Sequence, residues 1–133
     1  MHTQNIFVSI LRELKVPFTN SFASIAYEEH PYKYTFYGLK SLCEKFGIET
    51  EGLLVYNKEE IQKLPVPFVA EYNNDYVIVK TIAEHNVVFE IYGEDNSISL
   101  EQFQDNWSGH VLLFSPKENS MEPDYRKHVA QNR

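Results

Sequence analysis

Residues 64–92 read LPVPFVAEYNNDYVIVKTIAEHNVVFEIY, and their apolar spacing points to an antiparallel sheet. Pro65 and Pro67 close the segment before them, because proline fixes φ and offers no amide donor. Phe68 and Val69 then open a strand, and residues 75–82 alternate as a half-buried strand does. Glu84-His85-Asn86 makes a tight connection to residues 87–92, so the two runs form a hairpin.

Working outward, residues 48–56 predict another strand, and residues 58–64 a short helix. Asn57 and Glu60 stand at capping-box spacing before that helix. Downstream, Ser99 and Gln102 repeat this spacing ahead of Leu100 and Phe103, and residues 110–114 form a last strand stopped by Pro116. Upstream the period changes to that of helices. Residues 5–16 place Ile6, Phe7, Ile10, Leu11 and Leu14 on one face until Pro17 ends the run. Residues 20–29 predict a second helix burying Phe22, Ile25 and Ala26, broken by His30-Pro31. In GLKSLCEKFG, residues 38–47, Leu39, Leu42, Cys43 and Phe46 share a stripe, Thr35 can cap, and Gly47 can terminate in the left-handed region. Three helices followed by about five strands with short helical insertions predict an α+β domain.

Composition narrows the function classes. A chain of 133 residues with 43% hydrophobic and 14% aromatic residues is long enough for one well-filled core. The net charge of -7 opposes a nucleic-acid backbone, and no run approaches the length of a membrane span. One cysteine excludes an intrachain disulfide and any cysteine-rich metal site. Residues 1–116 read as the domain, and residues 117–133 as a polar extension or a linker to a further region.

Chemistry-bearing residues are sparse. There is no glycine-rich phosphate loop, no nucleophile elbow and no zinc signature. The five histidines are dispersed, and no metal site is expected. Cys43 sits on an apolar stripe, where a cysteine packs as a small hydrophobe. Asp75, Glu90, Glu94 and Asp95 lie around the hairpin and its exit, where two carboxylates could share acid–base work. Tyr32, Tyr34 and Tyr37, with Trp107, are candidates for partner binding, since such rings join an apolar face to a polar tip.

Three stretches together carry a resemblance: EEHPYKYTFYGLKSLCEKFGIET at 28–50, LPVPFVAEYNNDYVIVKTI at 64–82, and SLEQFQDNWSGHVLLFSP at 99–116. They resemble the peptidase C39 family, papain-like domains that cleave double-glycine leaders. The likeness runs over residues 2–115. It is strongest to a degenerate branch at the front of bacterial membrane proteins carrying a vitamin K epoxide reductase-like domain, often with a thioredoxin-like one. The implied fold has N-terminal helices packed on an antiparallel sheet.

In active members a cysteine opens the first helix, and that place falls near His2 or Thr3 here, with Gln4 on the wrong side for the oxyanion glutamine. Their histidine precedes an apolar strand, where this chain has Asp75 or Tyr76, and their orienting aspartate falls near Glu90. The resemblance therefore implies a noncatalytic accessory domain that binds a peptide or protein partner within a membrane thiol–disulfide oxidoreductase. Any quinone would belong to the parent's other portion, with no cofactor in this domain. It implies a soluble fragment on the cytoplasmic face, joined to a membrane domain of the same chain. The alternatives are a structural or dimerisation domain, and a hydrolase using the hairpin carboxylates.

Overall fold

The computed structural model describes residues 5–131. Helices α1 (Ile6–Leu14), α2 (Asn20–Glu28) and α3 (Phe36–Lys45) precede a six-stranded sheet of order β1-β6-β2-β3-β4-β5. Its strands are β1 (Glu49–Leu54), β2 (Phe68–Tyr72), β3 (Asp75–Ala83), β4 (Asn86–Ile91), β5 (Glu94–Ser99) and β6 (Trp107–Ser115). Helix α4 (Leu100–Asn106) enters β6, and α5 (Tyr125–Gln131) follows it. The α+β expectation is met. The ladders from β6 through β2, β3 and β4 to β5 are antiparallel.

The chain divides into two compact units, Glu51–Phe114 and Asn5–Thr50 with 115–131. In the first, Phe68, Ala70, Val77, Val79, Val87, Phe89 and Val111 gather on one sheet face with Phe103, Trp107 and Ile61. Tyr72 stacks on Phe103 at 4.8 Å between centroids. Ser99 caps α4, its hydroxyl accepting the Gln102 N–H at 3.1 Å. Residues 58–64 form a 3-10 segment, Lys58–Lys63, rather than an α-helix. Asn57 caps it by accepting the Glu59 N–H.

The sixth strand is a departure from the five expected. Strand β5 reads EDNSIS and is largely exposed, so its polar residues show no apolar alternation. What makes it a strand is the turn before it: Tyr92 and Gly93 take φ of 53° and 82° and return the chain onto β4.

In the second unit, Asn5 caps α1 by accepting the Val8 N–H at 3.0 Å. Thr35 caps α3 by accepting the Gly38 N–H at 3.0 Å, and Gly47 ends it at φ 77°. Leu39, Leu42, Cys43 and Phe46 are all buried, as their spacing predicts. Phe7 meets Phe46 edge-on at 5.1 Å. Helix α2 is rotated from the expected stripe: Ala23 and Tyr27 are buried, while Ile25 is 55% exposed. Tyr27, one helical turn from Ala23, buries more area than Ile25, and two residues of helix put the latter on the opposite side.

Residues 117–131 are built into this unit. Ser120 donates to the Gly47 carbonyl at 2.7 Å and accepts the Lys117 N–H at 2.8 Å. The Met121 N–H bonds to the Phe46 carbonyl, and the Glu122 N–H to that of Pro17.

Candidate active site

The carboxylates of the hairpin are sorted by strand register. Asp75 opens β3 opposite Tyr72, while Glu90 of β4 lies opposite Ile78. Three residues of strand separate the two places, about 10 Å at the usual rise. Each also has its own partner. Glu90 is held by Lys80 at 3.2 Å, and the same ammonium reaches Asp95 at 2.9 Å. Asp75 accepts the Tyr76 N–H at 3.1 Å on one oxygen and the Tyr92 hydroxyl on the other. The pairing of Asp75 with Glu90 contemplated from sequence is therefore not formed.

What forms instead is an Asp75–Tyr92 pair at one end of the sheet. Tyr92 is 47% exposed, so the pair is open to solvent. The hydrogen bond to Asp75 raises the Tyr92 pKa above the ordinary tyrosine value, with the carboxylate's charge acting in the same direction. The phenol stays a donor well into alkaline conditions, and donors hold both oxygens of the Asp75 carboxylate in place. Sequence reading passed over Tyr92 because it is neither a carboxylate nor a usual base. Its signal was the Tyr92-Gly93 turn, which directs the ring back toward β3.

His2 and Thr3, the places assigned to the family's nucleophile, lie outside the described residues. Tyr76 stands beside Asp75, with its backbone opposite Glu71. Tyr32 and Tyr34, on the segment entering α3, and Tyr37, in its first turn, are exposed. Tyr32 and Tyr37 meet edge-on at 5.6 Å, and the Lys33 ammonium lies over the Tyr34 ring at 5.3 Å. Trp107 is different. It is 1% exposed, packed against Phe103, with its indole N–H bonded to the His110 carbonyl. It is a core residue and offers no surface to a partner.

Cys43 is fully buried, and burial, helped by the charge of Glu44, pushes its thiol up to about 12. Thiolate is then scarce at neutral pH. In the native protein Cys43 is expected to resist a disulfide-exchange reagent at pH 8, and to react at once in denaturant. Native labelling as fast as that of free cysteine would contradict this burial. No group of histidine, cysteine, aspartate and glutamate able to hold a metal occurs among the described residues. No helix among them is long and apolar enough to cross a membrane.

Similar folds occur among solved structures. One is a double glycine motif protease from an AMS/PCAT transporter in complex with the leader peptide: TM-score 0.71, 18% identity, covering 84% of this chain and 81% of that one. Another is the peptidase domain of Streptococcus ComA, a bi-functional ABC transporter: TM-score 0.67, 16% identity, covering 84% and 88%. A third is the N-terminal peptidase C39 like domain of a toxin secretion ATP-binding protein from Vibrio parahaemolyticus: TM-score 0.66, 16% identity, covering 84% and 93%. No curated protein is detectably similar in sequence.

These findings correct the expectation of a degenerate, noncatalytic accessory domain in a vitamin K epoxide reductase-type thiol–disulfide oxidoreductase. The similar structures are peptidase or peptidase-like domains of transport and secretion proteins. The physical reason is visible in the stretches that suggested the narrower branch. Thr35, Ser99, Pro67 and Trp107 are caps, a strand boundary and a core ring. Such residues build the fold and do not select a branch within it. The inactive reading also rested on the lost thiol, and a lost thiol closes one route to hydrolysis only. The model of the peptidase C39 family matches residues 8–119, most of the chain, and this protein belongs to that family.

Proposed function

We propose that this domain binds an extended leader-type peptide and hydrolyses it, with Asp75 as the proton-accepting group and Tyr92 as the residue that positions it. The observation that carries this reading is the solvent-open Asp75–Tyr92 pair at the end of β3. Support comes from a similar fold that holds a leader peptide in its crystal structure. In the reaction a water molecule gives a proton to the Asp75 carboxylate as its oxygen attacks the scissile carbonyl. The C–N bond breaks, and the proton passes to the leaving amine, yielding one acid and one amine.

The test is cleavage of a synthetic double-glycine leader peptide, followed by mass spectrometry. Asp75→Asn is expected to lower turnover about a hundredfold, the usual scale for removing a general base. Cys43→Ala is expected to leave it unchanged. In parallel, ultraviolet titration of Asp75→Asn should show the Tyr92 phenol returning toward the ordinary tyrosine range. The sign follows from the raised pKa: the pair's contribution is complete below that range and is lost as pH rises through the folded-state value. Wild type without turnover, or turnover indifferent to Asp75→Asn, would overturn the proposal.

A further inference from the structure

His30 lies between α2 and α3, and its two hydrogen bonds dictate its protonation. Pro31 follows it and has no N–H, so the next amide along the chain is that of Tyr32. That N–H donates to His30 Nδ1 at 3.0 Å. A backbone amide can only donate, so Nδ1 carries no proton. The proton of the neutral ring is then on Nε2, which donates to the Ser41 hydroxyl of α3 at 3.1 Å. Ser41 therefore meets a donor and not a base, so the pair is not a nucleophile with its activator. What the ring can still do is change charge. Protonation puts a second N–H at Nδ1, facing the Tyr32 N–H, and the bond between them is lost.

The turn closed by this bond does more than join two helices. The Tyr32 carbonyl accepts the Thr35 N–H at 3.0 Å and the Thr35 hydroxyl at 2.8 Å, and that hydroxyl oxygen caps α3 by accepting the Gly38 N–H. The same turn sets the exposed Tyr32 and Tyr37 rings edge-on. One ring nitrogen thus begins a chain of hydrogen bonds that reaches the first turn of α3.

The surrounding charges carry both signs. Glu28 and Glu29 stand at the end of α2, with Glu28 held by Lys33 at 3.0 Å. On α3, within one helical turn of Ser41, are Lys40, Glu44 and Lys45. The phenols nearby are Tyr32, whose ring centroid is 6.3 Å from that of His30, and Tyr27, whose carbonyl accepts the His30 N–H. Neither sign dominates, and the hydrogen bonds, which only the neutral ring completes, set the response.

We infer that His30 makes residues 30–35 an acid-sensitive latch: the neutral ring holds the turn and its exposed tyrosines, and protonation at Nδ1 releases them. The bond is complete while the ring is neutral and is lost as pH falls. Nothing in this depends on Asp75.

The experiment compares the full chain at about pH 8 and about pH 5, the interval over which imidazoles change charge. His30→Asn is the control, because an asparagine oxygen accepts the N–H two residues on at either pH, and asparagine before proline suits a turn. Nitrogen-15 spectra of the wild type at the higher pH should show the His30 proton on Nε2. The nuclear Overhauser contact between the Tyr32 and Tyr37 rings should be lost at the lower pH in the wild type and kept at both in His30→Asn. In urea, the wild-type folding equilibrium constant should fall about fivefold on acidification relative to that of His30→Asn, the worth of one hydrogen bond. His85, His110 and His128 are present in both proteins and cancel from that ratio. A His30 proton on Nδ1 at the higher pH would overturn the inference. So would an unchanged ratio, a wild-type ring contact that survives acid, or one that acid breaks equally in both proteins. Should His30→Asn fail to fold, the tautomer and the ring contact of the wild type decide alone.

Discussion

Gly38→Ala is expected to destabilise the protein by about 3 kcal/mol, the top of the usual range for overpacking, because the obstacle is backbone. A methyl group at Gly38 would stand 1.9 Å from the Tyr32 carbonyl oxygen and 2.5 Å from its carbon. That carbonyl cannot swing aside. It accepts the Thr35 N–H at 3.0 Å and the Thr35 hydroxyl at 2.8 Å. The same hydroxyl oxygen accepts the Gly38 N–H and caps α3. Relieving the clash therefore costs the cap and the turn together. Thr35→Ala is the comparison. It removes the cap and the hydroxyl's bond to the Tyr32 carbonyl but adds no clash, and should cost about 1–2 kcal/mol. Urea denaturation followed by circular dichroism measures both. A Gly38→Ala midpoint no lower than that of Thr35→Ala would show that the turn yields freely.

Glu122→Ala should cost about 3–5 kcal/mol, the usual result of removing one member of a buried, charge-assisted cluster. Glu122 is 2% exposed. Its carboxylate accepts the Thr19 N–H at 2.6 Å, the Thr19 hydroxyl at 2.8 Å and the His128 Nδ1–H at 2.7 Å. Phe22 stacks on the His128 ring at 4.8 Å. Alanine would leave the part-buried Thr19 amide without its acceptor and release α5 from its anchor. Glu122→Gln keeps an acceptor for Thr19 and gives up the charge, so its loss should be smaller. A double-mutant cycle with Thr19→Ala reads the coupling directly, and the two losses should fall well short of adding. Additive losses, or an alanine variant as stable as wild type, would refute the anchoring role.

These two residues show where sequence reading succeeds and where it stops. Thr35, Ser99 and Gly47 were legible because a cap or terminator acts within three or four residues of itself. The stripe through Cys43 was legible for the same reason, helical period being a local property. Glu122 was not. In MEPDYRKH it looks like part of a solvated tail, since glutamate is rarely buried unless paired. Its partner Thr19 lies 103 residues away. Strand β5 escaped notice too, because its pairing with β4 owes nothing to apolar alternation.

The candidate site divides in the same way. Asp75 was named from its place before an apolar strand, and the carboxylate does stand at that strand's start. Which group it would meet was open, and the register of β3 on β4 with the left-handed Tyr92 selected a phenol instead of Glu90. The place of β1 at one end of the strand order was likewise beyond reach, since the order of a sheet is set between residues far apart in the chain. Caps, breakers and periodicity write helices, strands and turns into the chain locally. Partners, registers and edges arise through space, where residues distant in the chain compete for the same hydrogen bonds, and that competition is settled only in the folded molecule.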